Sequence, residues 1–314
     1  MATLSKQVAE LFQSQVQDWE LAKENYKGVG SVETRTFSFG TIGFLVQYNP
    51  KRMVSSAAKV DARSIEEREC FLCAENRPTE QKAVDFIGKY EVLVNPFPIF
   101  PRHLTIPDRR HTRQEISGRI GDMLVLSENL DEYVIFYNGP KCGASAPDHF
   151  HFQAGNKGFL PLEKSFESLS KKVFAEKTGI RIGTISDYPC PLFFFESQDK
   201  YAIAQMFEKL YALLEMKERE YEPMMNIVAW KNEANFVVCV FPRAQHRPDC
   251  FFAEGESNIL LSPASVDMGG VLITPQEKDF RKITENDIRQ IISEVCVSSS
   301  QLEKVADRLK ITWK

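Results

Sequence analysis

The chain has 314 residues, enough for one large domain or two of ordinary size, and its 43% hydrophobic and 26% charged residues are typical of a globular protein. Its formal net charge of -4 argues against general binding to nucleic acid, because no basic excess is available for phosphate contacts. The sequence has neither a signal-peptide core nor an apolar run of about 20 residues, so we expect a cytoplasmic protein that does not enter a membrane.

The first half of the chain predicts helices and strands in alternation. One-sided apolar spacing predicts a helix at the N-terminus, which Gly28 and Gly30 end. A polar loop or short helix is expected at 51–69, and a second amphipathic helix at 113–131. Runs rich in β-branched and aromatic residues predict strands within 33–48, from residue 90 up to the following prolines, and at 103–107, 133–138 and 149–155.

The second half of the chain repeats this pattern more loosely. Helices are predicted at 202–217, after a capping Thr284, and at roughly 300–310, with strands at 225–230, 235–243 and 271–275. The segment YEVLVNPFPIFPRHLTIP resembles NFVVCVFPRAQHRP, which suggests a duplication. We therefore expect an α+β fold with an antiparallel sheet, helices on one face, and two related halves, 1–165 and 166–314, that pack together because no low-complexity linker separates them.

Cysteines and histidines are crowded into one stretch of the first half. Seven cysteines, an odd number, fit a reducing compartment better than a disulfide framework. Cys70 and Cys73 form a Cys-x-x-Cys pair that can bind one metal ion, and His111 and His149 could complete a tetrahedral site. The alternative is two buried cysteines under a turn.

The segment GASAPDHFHFQ carries the strongest signal for chemistry. On a strand, His149, His151 and Gln153 share one face, opposite Phe150 and Phe152. Three polar side chains on one face need partners such as a phosphate or a metal, and the preceding Gly-Ala-Ser turn can offer N–H groups to an anion. The alternative is a solvent-facing strand edge.

Three ordered segments together resemble the histidine-triad-like superfamily. CFLCAENRP and IPDRRHTRQEI are similar to the metal-binding segments of galactose-1-phosphate uridylyltransferases, and FYNGPKCGASAPDHFHFQ is similar to their active-site segment. The Gly-Ala-Ser sequence resembles diadenosine tetraphosphate phosphorylases (ATP adenylyltransferases) and GDP-hexose phosphorylases more closely than it resembles the uridylyltransferases. The resemblance covers residues 70–155, is faint at 225–250, and implies a fold of two histidine-triad-like halves.

The resemblance also implies roles for individual residues. His151 matches the nucleophile, and Gln153 matches the glutamine that hydrogen-bonds the attacked phosphate. Asn138, Gly143 and Ser145 match phosphate contacts. Asn95 matches a position near the ribose of the nucleotide. The four residues implied as ligands of a structural Zn²⁺ are Cys70, Cys73, His111 and His149.

Three departures from the family pattern concern the turn and the acceptor. Asp148 is an extra residue before the first histidine, Phe150 replaces a small residue or proline, and the hexose-binding motif of the uridylyltransferases is absent. Basic residues near the motif could add positive potential, although most such side chains are solvated: Arg102, Arg109, Arg110, Arg113 and Lys141.

The resemblance implies ping-pong transfer of a nucleoside monophosphate through His151, from a nucleotide to phosphate or a sugar phosphate. A neutral imidazole suits this role, because it avoids repulsion by the phosphate and forms a labile P–N bond. The alternatives are a histidine-triad nucleotide hydrolase and a non-catalytic, zinc-containing nucleotide-binding module. His103 and His246 each follow a Phe-Pro turn and are expected to cap or pack. The resemblance leaves a monomer and a homodimer open.

Overall fold

The computed structural model describes residues 3–40, 42–53, 62–177 and 179–312. Its main feature is a ten-stranded antiparallel sheet in the order β3-β4-β5-β7-β6-β11-β12-β10-β9-β8, beside a three-stranded sheet in the order β1-β2-β13. The strands are β1 Glu33–Phe39, β2 Ile42–Tyr48, β3 Ala83–Phe86, β4 Tyr90–Val94, β5 His103–Pro107, β6 Tyr133–Asn138, β7 His151–Asn156, β8 Lys171–Lys177, β9 Ile180–Ile185, β10 Phe193–Ser197, β11 Met225–Lys231, β12 Phe236–Pro242 and β13 Val271–Thr274.

Helices precede β1, occupy several of the connections between strands, and follow β13. Thr3 caps the first, accepting a hydrogen bond from the Lys6 N–H, and Thr284 caps the tenth in the same way. None of the described helices is long and apolar enough to cross a membrane. The α-helices are α1 Leu4–Asp18, α2 Glu20–Val29, α3 Ala62–Glu66, α4 Ile120–Asn129, α5 Pro161–Ser165, α6 Lys200–Leu213, α7 Asp249–Phe252, α8 Ser265–Met268, α9 Glu277–Lys282, α10 Glu285–Val295 and α11 Ser299–Thr312.

The large sheet is built from two copies of one five-stranded unit. The first half runs β3-β4-β5-β7-β6 from the outer edge to the centre, and the second runs β8-β9-β10-β12-β11. In chain order, a helix connects the third strand of each unit to the fourth. It is α4 between β5 and β6 in the first half, and α6 between β10 and β11 in the second. The units join where β6 pairs with β11, at Asn138 opposite Asn226. The fold is therefore the predicted α+β arrangement of two related halves, whereas the boundary at residue 165 stays a prediction.

Alternate residues of the central strands face two different cores. Ile135 and Tyr137 lie in a core with α1, α4, α6 and α11, whereas Val134 and Phe136 lie in a second core on the opposite face. That second core contains β1, β2, β13 and helices such as α10. The prediction of helices on one face was therefore incomplete, because the three-stranded sheet and its helices cover the other face.

Several predicted elements have different bounds in the structure. The N-terminal helix is two helices separated at Trp19, whose backbone is extended. The helix expected at 113–131 begins only at Ile120, after Gly118 with a φ of 71°. The strand expected at 149–155 begins at His151. Part of 51–69, residues 54–61, lies outside the described residues.

The suggested sequence echo matches strands that are not equivalent. YEVLVNPFPIFPRHLTIP contains β4 and β5, whereas NFVVCVFPR forms β12. By their order in the sheet, β4 and β5 correspond to β9 and β10. The duplication is present, but this similarity between two segments did not locate it.

The two halves are held together beside the β6–β11 junction by polar contacts and close packing. Asn138 Oδ1 accepts hydrogen bonds from the Asn226 amide at 3.0 Å and the Ser265 N–H at 2.8 Å. Gly143 has a φ of 93°, and a Cβ added there would lie 2.5 Å from the Cβ of Ala264. Because an L side chain is strained at that φ and would clash with Ala264, only glycine fits at this contact.

We predict that Gly143→Ala lowers the free energy of unfolding by about 2–4 kcal/mol, through backbone strain and overpacking. Gly158→Ala is the matched control, because Gly158 has a φ of 74° but no atom within 4 Å of the added Cβ. It should cost only about 1 kcal/mol. Urea unfolding of the Gly143→Ala, Ala264→Gly and double variants should give a non-additive cycle, with the double variant recovering at least about 1 kcal/mol. Additive effects would contradict the contact.

Candidate active site

A cavity of about 510 Å³ lies on the face of the sheet opposite α4 and α6, next to the β6–β11 junction. Phe150 and Phe152 lie in the helical core and His151 and Gln153 line the cavity, as the predicted alternation requires, whereas His149 precedes β7 and lies in a Cys–His cluster instead. All six residues that the sequence assigned to catalysis or substrate contact line it: Asn95, Asn138, Gly143, Ser145, His151 and Gln153.

His151 lies at the start of β7 with only 3% of its surface exposed. Its Nδ1 lies 2.9 Å from the carbonyl oxygen of His149, so Nδ1 carries the proton and donates it in a hydrogen bond. Burial lowers the pKa of His151 to about 4, because the imidazolium would lose its hydration. The side chain is therefore a neutral imidazole whose Nε2 lone pair is available on the cavity side.

Gln114 fixes the backbone around His151, and sequence reasoning did not identify it. Its buried amide nitrogen donates to the carbonyl oxygens of Asn138 at 2.9 Å and His151 at 3.0 Å. Its Oε1 accepts the His151 N–H at 2.8 Å. These three hydrogen bonds tie the end of β6 to the start of β7, and so fix the position of the imidazole relative to Asn138.

His103 orients Gln153, a role that sequence reasoning also missed. The Ile99 N–H donates to His103 Nδ1 at 3.2 Å, so the proton of this imidazole is on Nε2. Nε2 then donates to Gln153 Oε1 at 3.0 Å. With its oxygen held in this way, Gln153 presents its amide nitrogen as a donor. Both residues lie on predicted strands, but no signal in the sequence indicated that these strands pair, as β5 and β7 do in the structure.

Hydrogen bonds to other residues also orient the side-chain amides of Asn138 and Asn95. Asn138 Oδ1 receives two hydrogen bonds from the second half of the chain, which leaves its amide nitrogen as the donor at the cavity. Asn95 bonds Thr105 Oγ1 at 2.9 Å and accepts the Phe97 N–H at 2.9 Å. Both side chains are therefore oriented before any ligand binds.

The Gly143-Ala144-Ser145 turn supplies backbone donors to the same cavity. All three residues line the cavity, and no described residue accepts a hydrogen bond from their N–H groups. Consecutive backbone N–H groups that converge on a cavity are a common binding site for anions. Together with the amides of Asn138 and Gln153, the turn surrounds the cavity side of His151 with uncharged donors.

The four predicted metal ligands form one cluster beside the cavity. Their ligand atoms all lie within 4.8 Å of one another. Cys70 Sγ lies 3.3 Å from His149 Nδ1, and Cys73 Sγ lies 3.2 Å from His111 Nδ1. Sulfur and nitrogen ligands of a tetrahedral zinc ion are about 3.5 Å apart, so this set fits such an ion.

Outer contacts of the cluster orient both imidazoles. His149 Nε2 lies 2.7 Å from the carbonyl oxygen of Asp108, which holds its Nδ1 toward the cysteines. His111 Nε2 lies 3.6 Å from the carboxylate of Asp148, which also forms an ion pair with Arg68 at 2.7 Å. The extra residue in the turn, Asp148, therefore links the cluster to an arginine that lines the cavity.

None of the five basic residues named near the motif lines the cavity, and four of them form ion pairs. Ion pairs join Arg102 to Glu132, Arg109 to Asp85, Arg113 to Glu115 and Lys141 to Glu220. Among the cavity residues in the described part of the chain, the arginines are Arg68 and Arg247. Sequence reasoning missed this contribution of the second half, which also supplies His246, Ser262, Ala264, Val266, Asp267 and Ile273.

Two family models match the chain, one in each half. A domain of unknown function (DUF4922) matches residues 11–156, and the GDPGP1-like C-terminal domain matches residues 164–312. No curated protein matches the chain in sequence.

Among solved structures, the chain is similar to yeast Ap4A phosphorylase Apa2. The complex with Ap4A is 15% identical, with 94% of this chain and 98% of that chain covered at a TM-score of 0.62. The complex with AMP is 14% identical, with 92% and 99% covered at a TM-score of 0.60. At this identity the likeness concerns the fold. Residues 11–156 are therefore similar to the DUF4922 family and residues 164–312 to the GDPGP1-like C-terminal domain, and over nearly all of its length the chain has the fold of yeast Ap4A phosphorylase Apa2.

Proposed function

We propose that the protein is a nucleotidyltransferase, a nucleotide phosphorylase that works through a covalent nucleotidyl-His151. The observation that carries the proposal is the neutral imidazole of His151, whose Nδ1 donates to the His149 carbonyl and which lines a cavity together with the uncharged donors of Asn138, Ser145 and Gln153. This arrangement suits a phosphoryl centre, because the nucleophile carries no charge and the donors stabilise charge on the phosphate oxygens.

In the first step, His151 Nε2 attacks the α-phosphorus of the nucleotide. A P–N bond forms as the bond between the α-phosphorus and the bridging oxygen breaks, and the leaving phosphate or sugar phosphate takes the electron pair. The imidazole keeps its Nδ1 proton, and the hydrogen bond to the His149 carbonyl stabilises the positive charge that develops on the ring. The amides of Gln153 and Asn138 and the Ser145 hydroxyl are placed to bond the phosphate oxygens.

In the second step, an oxygen of the acceptor phosphate attacks the same phosphorus. The P–N bond breaks, its electron pair returns to Nε2, and the nucleotide leaves with the acceptor attached. Dividing the transfer in this way lets one set of donors serve both displacements. The Asn95 side chain lies on the N-terminal side of the cavity, where we place the ribose.

The donor substrate is a nucleotide joined to a second phosphorylated group. Two classes fit the cavity and the comparisons, namely dinucleoside polyphosphates and nucleoside-diphosphate hexoses. The solved yeast phosphorylase complexes hold Ap4A and AMP, and the matching C-terminal domain is described as GDPGP1-like.

A hydrolase and a binding module remain the competing functions. Water would replace the acceptor in a hydrolase, and nucleoside monophosphate would appear without added phosphate. A binding module would not need a nucleophile with a fixed tautomer. The hydrogen bond from His103 to Gln153 favours transfer, because it directs a neutral donor, rather than a titrating histidine, at the position next to His151.

We predict that the protein gains the mass of one nucleoside monophosphate when incubated without acceptor. Intact-protein mass spectrometry after exposure to ATP, Ap4A, GDP-glucose or UDP-glucose should detect an acid-labile adduct that maps to His151. His151→Ala should form no adduct and should lose at least about a thousand-fold in turnover, while its circular dichroism stays that of the wild type.

Each other result has a defined meaning. Free nucleoside monophosphate without acceptor would identify a hydrolase. The absence of an adduct and of any product with all four nucleotides would contradict the proposal, as would full turnover by His151→Ala.

We also propose that Cys70, Cys73, His111 and His149 hold a structural Zn²⁺. Two thiolates and two imidazoles are a donor set that zinc prefers, and both imidazoles have outer partners. The ion would anchor the chain two residues before His151. The seven cysteines are free thiols, which suits our placement of the protein in the cytoplasm.

We predict that wild-type protein purified without chelator contains one equivalent of zinc and that Cys73→Ser loses it. Loss of a ligand should lower the free energy of unfolding by several kcal/mol, because the binding free energy of a structural ion is part of the folding free energy. Cys250→Ser is the matched control, since Cys250 is a half-buried thiol outside the cluster. Elemental analysis that found no stoichiometric zinc in the wild type would refute the assignment.

A further inference from the structure

The cavity has two chemically different ends. The N-terminal half contributes mainly apolar and aromatic side chains, including Trp19, Phe71, Leu72 and Phe97. The C-terminal half contributes a polar end. His246 and Arg247, which follow β12, lie there together with Ser262, which is hydrogen-bonded to Arg247. A nucleobase suits the first end, because aromatic side chains stack on bases. The second end requires a different ligand chemistry.

A buried arginine lies behind the polar end. Arg243 is 3% exposed, and its guanidinium donates to the carbonyl oxygens of Val295, Pro263 and His246 at 2.9–3.1 Å. Its further bonds, to Gln245 O and Asn226 Oδ1, are also to uncharged acceptors. Because these hydrogen-bond acceptors are all uncharged, the charge of Arg243 adds positive potential to this wall of the cavity.

Arg247 brings a second guanidinium to the cavity wall itself. It is half-buried, its Nε lies 3.2 Å from Ser262 Oγ, and its guanidinium packs over the Phe251 ring at 4.2 Å from the centroid. These contacts fix the plane of the guanidinium. Burial lowers the pKa of Arg247, because a buried guanidinium loses hydration.

The electrostatic potential around His246 is positive, because three basic side chains act on it. The pKa of His246 is lowered to about 4, first by burial and then by the charges of Arg247, Arg243 and Lys141. Asp267 is the one carboxylate among the described residues that line the cavity. Its oxygens accept the N–H groups of Ala264 at 2.8 Å and Ile273 at 3.1 Å, so it is bonded to backbone.

We propose that Arg247 and His246 form an anion subsite for the second phosphate, meaning the phosphate that departs from the α-phosphorus and the inorganic phosphate that attacks it. The inference rests on the proposed function, because phosphorolysis needs such a subsite beside the nucleophile. It assigns the C-terminal half a part in substrate binding: the N-terminal half holds the nucleotidyl group, and the C-terminal half holds the group exchanged for it.

The test is an isothermal calorimetric titration of the full chain with inorganic phosphate, in the absence of nucleotide, which measures the affinity for phosphate. Arg247→Gln should weaken phosphate binding at least tenfold, because a guanidinium–phosphate contact is lost. Arg247→Lys keeps the charge and should recover part of the affinity. The control is Arg289→Gln, which removes one positive charge from the exposed face of α10, where Arg289 pairs with Glu285. This variant should bind phosphate within twofold of the wild type.

Phosphate binding that is unchanged in Arg247→Gln, or no binding by the wild type at millimolar phosphate, would overturn the inference. Thermal unfolding of each variant shows whether it is folded, and Arg247→Lys supplies the result if Arg247→Gln is not. The readout is independent of covalent chemistry. Arg247-dependent phosphate binding without any adduct would therefore remove the proposed function and leave the anion subsite, whereas an adduct with Arg247-independent binding would do the reverse.

Discussion

The pairing of β6 with β11 is the contact on which the site depends. It joins the two halves into one sheet and sets Asn138 opposite Asn226. Asn226 bonds both Asn138 and the buried Arg243, so a hydrogen-bonded path runs from the C-terminal half to a predicted phosphate contact. Because interiors are close-packed, a shift at this junction would move Asn138 relative to His151 and open the contact between Gly143 and Ala264. The active-site turn is thus part of the interface between the halves.

Rigidity around His151 comes from several independent restraints on a short length of chain. The His149 carbonyl fixes the tautomer of the imidazole, Gln114 fixes its backbone, and the Cys–His cluster fixes the residues just before it. Each restraint acts on a different atom of residues 149–151. These restraints suit the proposed role of His151 as a nucleophile, because a preorganised side chain needs little rearrangement when charge develops during a reaction.

Local patterns in the sequence predicted the central strands of the fold and, in the N-terminal half, several residues that line the cavity. β5 and β6 have the predicted bounds, since their β-branched and aromatic runs end at sharp signals. The outer strands of the second half were missed for physical reasons. β8 carries Lys and Glu as an edge strand, and β9 contains Gly183, whose missing side chain makes room for Phe194. His151 and Gln153 were found because they lie two residues apart. His246 and Arg247 were not, because nothing local in the sequence indicates that they fold against a residue almost a hundred positions earlier.

The parallel pairing of β13 with β2 has a consequence for how the protein is made. β2 is synthesised early, yet its partner at Val271–Thr274 follows roughly 200 residues later, a delay of roughly 10–40 s at ordinary rates of translation. Throughout that interval the apolar residues of β2, including Phe44 and Val46, lack the strand that flanks them in the finished molecule. The nascent chain therefore carries an open strand edge on the ribosome, and the cavity beside His151 is complete only once nearly all of the chain has emerged.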